Sequence, residues 1–286
     1  MRHQARNKER KPIYIRGLIR PPMPNTSQVR LGLIVPSSNT TMEREFNKIV
    51  PGGFSIHSAR MRMTSVTEED LRAMDRQSVR AALELSDAEV SVIGYGCMIA
   101  VVSRGRGYDE VVRKRIEKSV RIPTVVSATA VIDALKAIGA GRIAVAMPYT
   151  EELARSELRF MEKCGLTIVD YRTLGIEANT AVGNLEASIA AETVRSLDSK
   201  TADAVLISCA QMPSADVLDE LEGEAGLPVV STNTATLWAM MRRIGYATPI
   251  TGYGSLLSGV TRFAGGRGNL RNPRKPAVPV QGSYRR

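Results

Sequence analysis

Two stretches of the sequence match each other, and in each a short apolar run is followed by a small residue and a cysteine. One is SVIGYGCM around Cys97, and the other is AVLISCAQM around Cys209. The two cysteines are 112 residues apart, and Pro36 and Pro148, which close two other apolar runs, have the same spacing. A register shared by separate turns indicates that the chain contains two copies of one structural unit.

Each copy alternates short apolar runs with helical patterns. The runs have the length of strands, and the order of the first half returns in the second. This alternation is typical of parallel sheets covered by helices. We therefore predict an α/β fold of two pseudo-symmetric, doubly wound parallel-sheet domains, with the active site in the crevice between them. One helix is predicted to begin at Thr67 and to continue through Leu85, with Leu83 on its apolar face.

The first of the two predicted domains is not continuous in sequence. RIPTVVSATAVIDALKAIG and GLPVVSTNTATLWAMMRRIG align with an offset of 105, so the second copy is slightly shorter. We expect residues 29–126 together with 233–261 to form the first domain and residues 127–232 to form the second. Residues 1–28 and 262–286 are expected to be a disordered basic arm and a disordered basic tail.

The net charge of +10 is concentrated at the two ends of the chain. Residues 1–30 contain eight Lys or Arg and one acid, and residues 262–286 contain seven and none. The remaining 24 basic and 28 acidic residues give the body, residues 31–261, a net charge of −4. A nucleic-acid-binding domain carries positive charge on its folded surface, so we expect no nucleic-acid partner despite the basic tails.

Neither a membrane span nor an export signal is recognisable. No apolar run reaches the ~18 residues of a membrane span, and the first residues lack a secretory apolar core. Three cysteines make no disulfide framework, and free thiols suit a reducing compartment. We expect a cytoplasmic protein that has no membrane partner.

The best-marked turns all follow predicted strands, so we expect them to face one crevice. Symmetry then places Cys97 and Cys209 on opposite walls. Each thiol precedes a helix, whose N–H groups and dipole are expected to lower the thiol pKa. Across a flat substrate, one thiol can take a proton while the other gives one. Alternatively, one can add to carbon while the other gives or takes a proton.

The same turns contain no Lys, Arg or His. An anionic substrate would therefore be held by backbone N–H groups and by Ser, Thr, Asn and Tyr side chains. His3 and His57 are isolated, there is no C-x-x-C, and no glycine-rich phosphate loop opens a helix. We predict neither a metal nor a cofactor.

Longer motifs surround these turns, among them VPSSNTTME, YGC, PYT and SCAQMPS. With them, the body from about residue 31 to residue 259 resembles the maleate cis–trans isomerases of the Asp/Glu racemase superfamily. The resemblance implies a cofactor-independent conversion of maleate to fumarate through a covalent succinyl-cysteine intermediate. It also implies a small dicarboxylate substrate and a homo-oligomer such as a homodimer.

The resemblance further implies roles for individual residues. Cys97 would be the nucleophile that adds to an alkene carbon, and Cys209 would be the proton donor on the facing wall. The carboxylates would be held by the side chains of Asn39, Tyr149 and Asn179. Backbone N–H groups would come from the residues that follow each cysteine, namely Met98, Ile99, Ala210 and Gln211.

Two departures from the family pattern are expected to reshape the pocket toward another cis-enedioate. Met98 follows the cysteine where members often have Leu or Thr, and Asn233 adds polarity to the stretch TNT. Two alternatives within the superfamily are a two-cysteine amino-acid or hydantoin racemase and an arylmalonate-type decarboxylase. An alternative from another class is a nucleic-acid-associated protein that acts through its tails.

Overall fold

The computed structural model describes residues 28–63 and 67–259. The predicted basic arm, apart from its last residue, and the whole predicted basic tail lie outside this part of the chain. So do residues 260 and 261, the last two of the predicted first domain. Within the described ranges, no helix combines the length and the apolar character needed to cross a membrane.

Eight strands of the described residues form two sheets of the same design. They are β1 (Val29–Pro36), β2 (Phe54–Met61), β3 (Val92–Tyr95), β4 (Thr124–Val126), β5 (Arg142–Met147), β6 (Thr167–Thr173), β7 (Ala204–Ile207) and β8 (Val229–Ser231). The strand orders are β2-β1-β3-β4 and β6-β5-β7-β8, and every pairing is parallel. β3 and β7 begin 112 residues apart. The α/β fold with two matching parallel sheets is therefore confirmed.

Helices connect the strands and cover the sheets. Those of the first half are α1 (Met42–Ile49), α2 (Glu68–Asp75), α3 (Ser78–Asp87), α4 (Met98–Val102), α5 (Tyr108–Val120) and α6 (Ser127–Ala137). Those of the second half are α7 (Glu151–Lys163), α8 (Asn179–Gly183), α9 (Ala187–Arg195), α10 (Leu218–Ala225), α11 (Thr232–Arg243) and α12 (Ser255–Ser258). A short 3₁₀ helix, Ala215–Val217, precedes α10.

The four central strands, β1, β3, β5 and β7, are buried apolar runs, because elements pack on both faces of each sheet. From β1 or β5 the chain first goes to one edge and then returns on the other side as β3 or β7. Ligands bind parallel sheets at such switch points, beyond the carboxyl ends of the strands. Pro36 and Cys97 lie at the first switch point, and Pro148 and Cys209 lie at the second.

Two helices join the halves of the molecule. α11 follows β8 of the second sheet, yet it packs against β3 and β4 of the first. α6 follows β4 of the first sheet and contacts β8 of the second, and the two helices pack against each other. The Thr236 hydroxyl on α11 donates to Ser127 Oγ on α6 at 2.9 Å. Each half is therefore partly covered by a helix that follows a strand of the other.

The helix predicted after Thr67 is interrupted. Thr67 does cap it, because its hydroxyl accepts a hydrogen bond from the Asp70 N–H at 3.2 Å. However, α2 ends after two turns and the chain starts again as α3. The side chain of Gln77 occupies the break and bonds to both backbone groups of Arg62, at 3.0 and 3.3 Å. Leu83 is 48% exposed, so the prediction of one continuous apolar face is wrong.

Candidate active site

A cavity lies between the carboxyl ends of the two sheets. Its volume is about 40 Å³, which is room for about three water molecules. It is lined by all nine residues predicted for the site, namely Asn39, Cys97, Met98, Ile99, Tyr149, Asn179, Cys209, Ala210 and Gln211. The loops that follow the central strands of both sheets therefore meet at one place.

Cys97 is placed by close packing at the end of β3. The preceding residue, Gly96, has no room for a side chain, since a Cβ there would lie 2.5 Å from Met42 Sδ. Cys97 is the N-cap of α4 and is buried. The N–H groups of Met98 and Ile99 open this helix and have no partner within it, so they are available at the cavity wall.

Cys209 holds the matching position after β7 and has more hydrogen-bond donors around its sulfur. The Gln211 N–H donates to Cys209 Sγ at 3.3 Å. The Tyr149 hydroxyl and a second backbone N–H also hydrogen-bond to this sulfur. Around Cys97, the corresponding donor is the Ala100 N–H. A thiolate at Cys209 would thus be the better solvated of the two by protein groups.

Burial determines the thiol pKa values. Removal from water raises the pKa of Cys97 to about 12, although the Ala100 N–H lowers it in part. Burial likewise raises the pKa of Cys209 to about 11, although the Tyr149 hydroxyl and the Gln211 N–H lower it in part. The prediction that the turns lower both pKa values is therefore wrong. The physical reason is that α4, which follows Cys97, has only five residues, and its few N–H groups do not offset the loss of water. Within the described residues, no helix begins directly after Cys209, where the next element is the 3₁₀ helix Ala215–Val217.

The side chain of Gln211 connects both halves of the molecule. Its Oε1 accepts hydrogen bonds from the Thr40 and Thr41 N–H groups at 2.8 and 3.3 Å. Its Nε2 donates to the carbonyl oxygens of Ser38 and Asn179 at 2.9 and 3.1 Å. The sequence predicted a role for the backbone N–H of Gln211, but that N–H already donates to the neighbouring cysteine sulfur.

The two asparagines of the site are also engaged by the protein. Asn39 Oδ1 accepts from two N–H groups at the start of α1, at 3.2 and 3.0 Å. Asn39 Nδ2 donates to Ala210 O at 3.1 Å, and Asn179 Nδ2 donates to Ser38 Oγ at 2.8 Å. Each amide nitrogen carries a second hydrogen, which leaves one donor for a carboxylate.

The two residues predicted to reshape the pocket differ in position. Met98 lines the cavity. Asn233 is fully buried and does not line the cavity. It donates to Glu45 Oε2 at 2.6 Å and to the carbonyl oxygen of the lining residue Ala210 at 3.3 Å. Asn233 therefore influences the cavity wall by holding the carbonyl of Ala210.

Several lining residues were not predicted. Met63, Leu153, Ile176 and Val182 supply apolar surface, and Glu177 is an exposed acid in the lining. The described part of the lining contains no Lys, Arg or His. Met63 follows β2, which pairs with β1, so the parallel sheet order was the signal that could have placed it at the cavity.

Two matching parallel sheets with a cysteine at each switch point define a class of two-lobed α/β proteins with paired thiols. A family model described as arylmalonate decarboxylase matches residues 31–257. A maleate isomerase of Geobacillus stearothermophilus is 38% identical over 244 residues, which are 80% of this chain and 97% of that protein.

Solved structures show the same similarity. A maleate isomerase from Pseudomonas putida S16, a cysteine-to-alanine variant with maleate, has a TM-score of 0.78 and 39% identity, covering 81% of this chain and 98% of that one. A Nocardia farcinica maleate cis–trans isomerase, a cysteine-to-serine variant with a covalently bound succinylcysteine intermediate, has a TM-score of 0.78 and 36% identity, with 82% and 99% covered. The chain therefore belongs to the maleate isomerase family.

Proposed function

We propose that the protein converts maleate to fumarate without a cofactor, through a succinyl adduct on Cys97. The observation that carries this proposal is the position of Cys97 and Cys209 in one small cavity, each supplied by a different sheet. Membership of the maleate isomerase family supports the same reaction, and it favours neither the racemase nor the decarboxylase considered above.

The chemistry follows from the need to break the π bond before maleate can rotate. Cys97, as a thiolate, forms a C–S bond to one alkene carbon, and Cys209 gives its proton to the other. The former double bond is now a single carbon–carbon bond, and rotation about it separates the two carboxylates. Cys209 then takes a proton back from carbon, the C–S bond breaks, and fumarate leaves while Cys97 is again a thiolate. The succinylcysteine in the Nocardia farcinica relative supports this route.

The groups around the cavity suit these roles. The Tyr149 hydroxyl and the Gln211 N–H, which bond to Cys209 Sγ, would stabilise the anion left after proton transfer. The remaining amide hydrogens of Asn39 and Asn179 would hold the carboxylates of the substrate. Neutral donors suffice for this purpose when they are fixed before the substrate arrives.

Incubating the pure protein with maleate under reducing conditions tests the proposal. Fumarate should appear in the proton NMR spectrum, and mass spectrometry should find one added maleic acid on the peptide that contains Cys97. An absence of fumarate would contradict the function, and an adduct on Cys209 would reverse the two roles. Exchange of an amino acid's α-proton for deuterium, with maleate untouched, would indicate a racemase instead.

We also propose that the protein acts in the cytoplasm as a homo-oligomer and that its basic ends serve neither catalysis nor nucleic-acid binding. Its cysteines are free, which suits a reducing compartment, and the family match spans residues 31–257. Deleting residues 1–28 and 265–286 should leave the isomerase rate unchanged. Light scattering should find more than one chain per particle, and DNA binding that is lost on deletion would contradict the role assigned to the ends.

A further inference from the structure

Two buried acids are separated along the chain by the same number of residues as the two site cysteines. Glu45 on α1 and Glu157 on α7 are 112 residues apart, and both side chains are buried. Glu45 is well satisfied, because its Oε1 accepts from the Ser214 and Ala215 N–H groups at 2.7 and 2.9 Å. Its Oε2 accepts from Asn233 Nδ2 at 2.6 Å. Three donors therefore offset part of the cost of burial, which still raises the pKa of Glu45.

Glu157 lacks such a set of donors. Its Oε1 accepts a hydrogen bond from the Ser208 hydroxyl, and its Oε2 has no partner among the described residues. The position equivalent to Asn233, at the offset of 105, is Ala128, which offers no amide. Burial raises the pKa of Glu157 to about 8, although the bond from Ser208 lowers it in part.

Ser208 links this acid to both cysteine turns. It directly precedes Cys209, and its hydroxyl lies 3.7 Å from Met98 Sδ, which belongs to the residue after Cys97. Glu157 is therefore linked, through one serine, to the Cys209 turn and to the side chain of Met98 at the start of α4.

The first half of the molecule cannot build the same link. The equivalent of Ser208 is Gly96, where Met42 Sδ fills the space that a side chain would need. The equivalent of Met42 is Ala154, whose side chain is a single methyl group and has no sulfur to fill that space. The contact of a buried acid with the residue directly before the cysteine is thus found on the Cys209 side, whereas on the Cys97 side buried Asp75 accepts from the hydroxyl of Tyr95, two residues before the cysteine.

The charge of Glu157 also acts on that side. Beyond the effect of burial, an ionised Glu157 raises the pKa of Cys209 and of Tyr149, the titratable groups that face it from β7 and from the turn after β5. For Cys97, the acidic groups that add to the effect of burial are Cys209 and Asp75. Two acids in one dry site resist carrying two negative charges at once.

We propose, on the basis of the function proposed above, that Glu157 is a positioning residue that holds the Cys209 turn through Ser208 and that, once ionised, it opposes the loss of the Cys209 proton. Glu45 and Glu157 then differ in function as well as in setting, because Glu157 alone of the two bonds to the residue that precedes a catalytic cysteine.

Thiol alkylation measures this without turnover. With Cys97→Ser and Cys164→Ser as the parent, Cys209 is the one remaining cysteine of the three, and its reaction with iodoacetamide follows the thiolate fraction. Glu157→Gln keeps the size and the acceptor for Ser208 but cannot ionise. At about pH 9 we expect alkylation at least about threefold faster in Glu157→Gln than in the parent, because a nearby buried charge shifts a pKa by about half a unit or more. Near pH 7 the rates should agree.

Glu152→Gln, on an exposed position of the same helix, is the matched control and should leave the alkylation rate unchanged. Equal rates for Glu157→Gln and the parent at about pH 9 would overturn the proposal. If Glu157→Gln does not fold, the pH dependence of the alkylation rate of the parent tests the proposal instead. Its alkylation rate should flatten near pH 8 as Glu157 ionises, and a simple rise in proportion to hydroxide would count against the proposal.

The intact enzyme gives a second readout. Above about pH 10, where Cys209 begins to lose its proton, Glu157→Gln should lower kcat for maleate with little change in KM, because the loss concerns a proton and not substrate binding. The two proposals fail separately, since alkylation needs no maleate. A wild-type protein that makes no fumarate would contradict the proposed function and leave the titration of Cys209 to decide the role of Glu157.

Discussion

The side chain of Gln211 accepts a hydrogen bond from the Thr40 N–H at 2.8 Å, so the residue two places after Cys209 completes a turn of the first half. The same side chain bonds to Ser38 and Asn179, and its backbone N–H donates to Cys209 Sγ. The position of one sulfur and the closure of the opposite cavity wall therefore depend on a single residue.

Gly183 gives this side chain its room. A Cβ at position 183 would lie less than 3.0 Å from Gln211 Nε2 and 2.6 Å from Thr40 Oγ1. Gly183→Ala should therefore destabilise the protein by about 1–3 kcal/mol and lower kcat/KM for maleate by about tenfold or more. The control is Gly223→Ala in α10, where a Cβ meets nothing within 4 Å. Thermal unfolding and initial rates measure both, and wild-type behaviour of Gly183→Ala would mean that the position of Gln211 does not matter.

Serine substitutions should separate the roles of the cysteines. Cys97→Ser should remove turnover and the adduct, because the hydroxyl is a far weaker nucleophile than a thiolate. Cys209→Ser should reduce turnover by about 10²–10⁴-fold, the usual value of a general acid, and should still form a succinyl adduct on Cys97. Cys164→Ser, at the end of α7, should keep the wild-type rate. Peptide mapping by mass spectrometry reads the result, and an adduct on Cys209 in the Cys97→Ser variant would reverse the assignment.

Tyr149→Phe should make the Cys209 proton harder to remove. The hydroxyl of Tyr149 bonds to Cys209 Sγ and lowers the pKa that burial has raised, so its loss should raise that pKa further. We expect kcat to fall by about tenfold, since one hydrogen bond to an ionised group contributes about 1.5–3 kcal/mol. Alkylation of Cys209 should become slower, opposite to the effect of Glu157→Gln. Tyr171→Phe, which removes a bond to exposed Glu151, is the control.

Glu157 should make the protein less stable as the pH rises. Its pKa is about 8 in the folded protein and 4.5 for the free side chain, so between these values the native state holds a proton that the unfolded state has lost. This contribution is complete below about pH 4.5 and is lost as the pH rises through about 8. From about pH 5 to pH 8, the unfolding free energy of wild type should fall by a few kcal/mol more than that of Glu157→Gln. Denaturant titrations at both pH values measure this, and parallel curves would rule out a raised pKa.

Much of the fold was predictable from the repeated register. The turns at Cys97 and Cys209 follow equivalent strands, and parallel sheets leave one edge at which such turns can meet. That constraint was enough to predict that the two cysteine turns share one cavity, whereas the individual substrate-binding residues came from the family resemblance. The division of the chain at residues 126 and 232 stays a prediction, because α6 and α11 each contact strands of both sheets.

The sequence did not predict the contacts between the side chains of the site. Gln211 bonds to Ser38, which is 173 residues away, and no local pattern reports such a pairing. The pKa of Cys97 depends in the same way on burial by segments distant along the chain. Glu157 did leave a signal, since it shares the register of 112 with Glu45, but an acid in a helical pattern is read as a surface residue until its burial is known.

The pairing of two like sheets has a consequence for how such a molecule can diverge. A half-length chain that paired with its own copy would also bring two cysteines to one cavity, but its two walls would be identical. Within one continuous chain, position 96 can be glycine while position 208 is serine, and position 128 can be alanine while position 233 is asparagine. Covalent joining therefore allows the two sulfurs to inherit the same geometry and yet acquire different chemistry.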